Sequence, residues 1–128
     1  MLRITKILMT TIDKKLTTIQ FIQGIDEEVT PEVRLTRSRS GNQGTATLIF
    51  EDPKALGQDV TQEITGMYMI DEEGQITSRD VKARFVNGQP KFLEGLYIMK
   101  TKEEWERFMR FMESYAKEHD LGFKKAKA

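Results

Sequence analysis

The chain has no cysteine, a single histidine and a single tryptophan in 128 residues. Without cysteine there is no disulfide framework, no thiolate metal site and no thiol nucleophile. Net charge is missing as well: 20 lysines and arginines balance 20 aspartates and glutamates. No cationic excess exists to release counterions from a nucleic acid, so any recognition of charge has to be local. No apolar run approaches the roughly 20 residues a membrane-spanning helix needs, and the opening residues lack the apolar core of a signal peptide. Binding at a membrane surface stays open.

What is present suits one domain, which at this length buries roughly two thirds of the surface its unfolded chain exposes. The expected boundaries are a disordered basic extension over residues 1–15, one α+β domain over 16–123 and a basic tail over 124–128. For the first segment three readings stand: a frayed arm, a short membrane-skimming helix, or a dispensable tail from an upstream start codon, with Met9 or a later position the natural beginning.

The stretch Val33–Phe50 organises the rest. Gly41, Asn42, Gln43 and Gly44 offer a four-residue turn between two runs of β-branched and apolar residues. That turn pairs Ser40 with Thr45 and sets Leu35 opposite Phe50, Arg37 opposite Leu48 and Arg34 opposite Glu51. Alternation puts Val33, Leu35, Arg37 and Arg39 on one face, apolar at one end and cationic at the other. Either the arginines cover the sheet rim and pair with carboxylates, or the hairpin tip is a docking surface for an acidic or polar partner. The candidate contact residues are Arg34, Thr36, Arg37, Ser38, Arg39 and Asn42.

Elsewhere the pattern predicts a strand over 16–25 with apolar residues on both faces. A second hairpin is expected over 64–76, turning at Asp71-Glu72-Glu73-Gly74. A third joins a strand over 75–86 to one over 89–99 through Asn87-Gly88, with Pro90 suited to an edge or a bulge. The acidic triplet lacks the alternating oxygen donors of a calcium loop and reads as a solvated turn. Thr101 and Glu104 form a capping box before a helix over 101–119, in which Trp105, Phe108, Met109, Met112, Tyr115 and Ala116 make an apolar stripe, Phe111 widens it, and Asp120-Leu121-Gly122 ends it. His119 reads as a helix-terminal cation rather than a metal ligand or catalytic base. The fold class is therefore α+β: an antiparallel sheet built from hairpins, with a long C-terminal amphipathic helix packed on one face.

Several segments together resemble the photosystem II reaction centre protein 28 family of cyanobacteria and plastids. They are Arg34-Leu-Thr-Arg-Ser-Arg-Ser-Gly41 within Val33–Thr47, Thr65-Gly-Met-Tyr-Met69 with Asp71-Glu-Glu-Gly74, Lys82-Ala-Arg-Phe-Val-Asn-Gly-Gln-Pro90, and Glu104-Trp-Glu-Arg-Phe-Met-Arg-Phe-Met112. The likeness covers about Ile19–Phe123 and leaves the basic tail before Leu16 without a family role. It implies a non-enzymatic accessory factor without cofactors, peripheral on the cytoplasmic or stromal side of the thylakoid membrane. It also implies transient binding to assembly or repair intermediates of photosystem II, with the reaction-centre core subunits and the chlorophyll-binding core antenna as partners and no nucleic acid. Exposed sheet edges add strand addition as the means of capture, and leave weak homodimerisation of the free protein open. The alternative is a basic-hairpin module for nucleic acid or phosphate built on Arg34, Arg37 and Arg39, against which neutral net charge and the lack of interleaved aromatics weigh. No convergent acid, base and nucleophile supports an enzyme.

Overall fold

The computed structural model describes residues 16–119, in which seven strands precede one long helix. The strands are β1 (Thr18–Gln20), β2 (Glu32–Arg37), β3 (Gly44–Glu51), β4 (Met67–Asp71), β5 (Gly74–Ser78), β6 (Asp80–Val86) and β7 (Gln89–Met99), and the helix is α1 (Lys102–Glu118). They form two antiparallel sheets, ordered β1-β4-β5 and β2-β3-β7-β6, with α1 packed against them. The α+β architecture of hairpins and a C-terminal helix is thus the one the sequence patterns indicate. The extension over 1–15, the helix stop at 120–122 and the tail over 124–128 lie outside the described residues.

The strand expected over 75–86 is two strands, and Arg79 is the reason. Its guanidinium donates to Thr65 O and to Tyr68 Oη, both at 2.8 Å. On either side of it the Ser78 hydroxyl donates to Leu96 O and accepts from the Asp80 N–H. The chain therefore leaves one sheet at Ser78 and joins the other at Asp80. The strand expected over 16–25 is likewise short, because the Gln20 side chain accepts from Gly24 N (2.8 Å) and donates to Asp26 (2.7 Å), curling the chain after Gln20.

Alternation along the strands turns Ala46, Leu48 and Phe50 of β3 and Leu93 and Met99 of β7 inward, against Ile19, Met67, Met69 and Ile76 of the smaller sheet. Phe108, Phe111, Met112 and Tyr115 complete the core from α1, so Phe111 does widen the buried stripe. Aromatic rings run along it from Tyr97 to Phe108 (5.7 Å), Phe111 (6.3 Å), Tyr115 (5.8 Å) and His119 (4.1 Å). His119 ends this series with its Nε2 donating to Thr17 O at 2.8 Å, which gives the ring a structural task.

Polar clamps fix the helix at both ends and along its side. At the start, Thr101 Oγ1 accepts from Glu104 N, while the Glu104 carboxylate reaches back past the cap to Lys100 N (2.7 Å). At the far end, the Glu118 carboxylate accepts from Leu16 N, Thr17 N and Thr17 Oγ1. The acidic turn is not merely solvated. Arg107 grips Asp71 through two bonds of 2.6–2.7 Å, and Arg110 grips Glu73 through two of 2.8–3.0 Å. Burial alone would raise the Asp71 pKa, but the Arg107 bonds outweigh it and hold the carboxyl below its usual range.

Candidate functional site

The β2–β3 hairpin folds in a different register from the one its glycines suggest. Thr36, not Ser40, pairs with Thr45; Leu35 lies opposite Ala46, Arg37 opposite Gly44 and Arg34 opposite Thr47. The connecting loop is six residues, Ser38–Gln43, closed by Ser38 N to Gln43 O (2.8 Å), Gly41 N to Ser38 O (3.0 Å) and Gln43 N to Ser38 Oγ (3.2 Å). Gly44 belongs to the strand, paired with Arg37 and Met99, and a Cβ there would overlap the Trp105 ring and come within 2.6 Å of Thr36 O. It is a glycine of close approach, not of the turn.

This register distributes the candidate residues. Arg37 lies on the inner side with its guanidinium 4.8 Å from the Trp105 ring centroid and donates to Gly41 O at 3.2 Å. Arg34 projects from the opposite face and pairs with Glu32 at 2.6 Å. Arg39 is exposed in the loop, beyond the strand, so alternation does not carry it onto the Arg37 face. Asn42 is exposed beside it, its N–H directed at Ser40 Oγ (3.4 Å). The alternative reading as a nucleic-acid or phosphate module finds no support here, because the three arginines do not converge.

Thr36 and Ser38 are brought together with residues the sequence did not single out. With Gln43, Thr45, Ile98 and Lys100 they line a groove of about 470 Å³ on the outer face of the larger sheet. The Thr36 and Thr45 hydroxyls share a hydrogen bond of 2.5 Å on its floor, and Ile98 is 51 % exposed beside them. Ile98 alternates out of phase with the buried Leu93 and Met99, and that phase was the signal available for it. The groove thus offers hydroxyl and amide hydrogen-bonding groups beside an apolar side chain.

The backbone of β2 adds a second feature. Opposed residues in an antiparallel ladder alternate between bonded and non-bonded pairs. Ser38 N bonds to Gln43 O, so Thr36, Arg34 and Glu32 bond inward to β3. The peptide groups of Val33, Leu35 and Arg37 therefore face away from the sheet along its margin. β6 is the margin on the other side.

The sequence model of the Psb28 protein family matches residues 19–123. A photosystem II reaction center Psb28 protein from Trichodesmium erythraeum is 97% identical over 113 residues, covering 88% of this chain and 100% of the relative. Its counterpart from a Nostoc species is 64% identical over 108 residues, covering 84% of this chain and 97% of that protein. The one from Guillardia theta is 60% identical over 110 residues, covering 84% and 95%.

Proposed function

The chain belongs to the Psb28 family, and on that premise we propose that it is a non-catalytic accessory factor for photosystem II assembly or repair intermediates. It works peripherally at the cytoplasmic or stromal face of the thylakoid membrane. Among the described residues no helix is long and apolar enough to cross a membrane, which fits a peripheral position. Its partners are reaction-centre core subunits and the chlorophyll-binding core antenna, and the task needs no cofactor.

The observation that carries the mechanism is the outward row of peptide groups at Val33, Leu35 and Arg37. An extended tail or loop of a core subunit adds to β2 as a fifth strand. Main-chain bonds supply the affinity, and the neighbouring side chains, Arg37, Arg39 and Asn42 at the loop and Thr36 and Ser38 in the groove, select the segment. A second copy of the chain uses the same margin weakly when no partner is present.

Leu35→Pro removes an outward N–H while leaving the inward ladder intact. It is expected to abolish capture of incomplete photosystem II cores from a thylakoid extract. Leu35→Ala, which loses packing but keeps the N–H, retains capture. Ala83→Pro makes the equivalent test on β6. Unchanged capture by both proline variants would remove strand addition to the larger sheet as the mechanism.

A further inference from the structure

Both hairpins of the larger sheet are basic, but only the β6–β7 hairpin is apolar at its tip. Phe85 is 64 % and Val86 46 % exposed, among the most exposed large hydrophobic side chains of the described residues. From Phe85 to Pro90 there is no charged residue, and from Val81 to Leu93 there are three cations, Lys82, Arg84 and Lys91, with no carboxylate. The neighbouring acids are Glu94 on β7, beside Arg84, and Glu51 and Asp52 at the end of β3, beside Lys91.

The tip also has a defined geometry. Asn87 (φ 53°) and Gly88 (φ 78°) form the tight turn that the twist of two paired strands favours. A register shift between Arg84 and Phe85 then sets Phe85 opposite Pro90 and Val86 opposite Gln89. Gly44 pairs with Met99 at one end of the β3–β7 ladder and Glu51 with Phe92 at the other. The apolar tip and the β2–β3 loop thus occupy opposite ends of the sheet, roughly 30 Å apart at the strand rise.

We propose that the β6–β7 tip is a membrane-interface wedge: Phe85 and Val86 enter the headgroup boundary of a bilayer while the sheet stays in water. Insertion of Phe85–Pro90 desolvates no ion. Arg84 and Lys91 each sit about 10 Å back from the turn, the depth at which the headgroups of a shallowly inserted element lie. Both already face carboxylates of the sheet, Arg84 with Glu94 and Lys91 with Glu51 and Asp52, so the pull of an anionic leaflet falls to Lys82, and two apolar side chains alone give only marginal, reversible attachment. This deepens the peripheral placement proposed above and rests on it, but uses a different part of the molecule from the β2 margin.

The test uses the full chain and vesicles of phosphatidylglycerol and phosphatidylcholine with bromine-labelled acyl chains. Trp105, at the opposite end of the sheet, is the internal control. Phe85→Trp should lose at least half its added emission on labelled vesicles, while Trp105 in the unsubstituted chain keeps its emission. The exposed pair Phe85→Ser/Val86→Ser should lower the vesicle partition coefficient at least tenfold with an unchanged circular dichroism spectrum, and Leu35→Pro should leave it unaltered. Absence of vesicle binding overturns the proposal, as does binding without quenching at position 85. It is equally overturned if the double serine variant loses capture of photosystem II cores in detergent, which would make the tip a protein contact. Loss of capture with Leu35→Pro alone bears on the β2 margin and not on the wedge.

Discussion

Gly44→Ala is expected to lower the unfolding free energy by about 3 kcal/mol, the upper part of the range for overpacking a filled site. For a chain of this length that is a fall in Tm of roughly 10 °C. The added methyl would overlap two atoms of the Trp105 ring and stand 2.6 Å from Thr36 O. Neither neighbour is a flexible chain end. The ring is covered by the Arg37 guanidinium on one side, and Thr36 O is part of the ladder to β3. Relief must come from parting the β2–β3 hairpin from α1, which would also detach Arg37 and loosen the loop that carries Arg39 and Asn42. Urea titration of Gly44→Ala, Trp105→Ala and the double variant measures the coupling: the double variant should cost clearly less than the sum of the two. A Gly44→Ala cost below about 0.5 kcal/mol, the level of ordinary surface substitutions, would mean that the close approach does not exist.

Glu27→Ala should cost a similar amount, about 3 kcal/mol near pH 5, because two backbone donors lose their acceptor at once. Glu27 is only 3 % exposed, and its carboxylate accepts from Lys54 N at 2.6 Å and Ala55 N at 2.9 Å, the unpaired donors at the start of the 3₁₀ turn Lys54–Leu56. Burial pushes the Glu27 carboxyl above its usual range, against the lowering by those two N–H groups. The buried Tyr115 hydroxyl, which has no hydrogen-bond partner among the described residues, is pushed up by its own burial and by the charge on Glu27.

Folding thus favours the protonated form of Glu27. Its contribution is fully present below about pH 4.5, the ordinary value for the group, and is lost as pH rises through the folded value. Asp71 and Glu118 have lowered values, so their contributions run the other way and fade as pH falls. Because both remain in Glu27→Gln, subtracting wild-type from variant stability isolates Glu27. That difference should climb in the variant's favour as pH rises above 4.5. A flat difference between pH 4 and 8 would show that the carboxyl is not desolvated in the fold.

Local signals carried much of this fold. Asn87-Gly88 announced its hairpin because the turn conformation is set by two adjacent residues, and Thr101 with the apolar stripe announced α1 because the signals repeat over four turns. The β2–β3 register could not be read in that way. Gly41-Asn-Gln-Gly44 looks like a turn by composition, yet the residue that excludes a side chain at Gly44 is Trp105, sixty-one positions later. Arg79 is similar, since nothing in its neighbourhood shows that it will hold Thr65 and Tyr68 and turn one strand into two. The candidate contact residues were legible as a basic run, whereas their distribution over two faces and a loop follows from pairing. The outward phase of Ile98 on β7 was legible, whereas its meeting with Lys100 and the β2–β3 hairpin in one groove follows from pairing.

The passage of the chain from one sheet to the other across the single residue Arg79 leaves the two ladders without shared rungs. Amide exchange can accordingly slow in one block while the other keeps its own rhythm. A visiting strand laid beside β2 would quiet β2, β3, β7 and β6, and the trio β1, β4 and β5 would go on opening at the pace it has in the solitary protein.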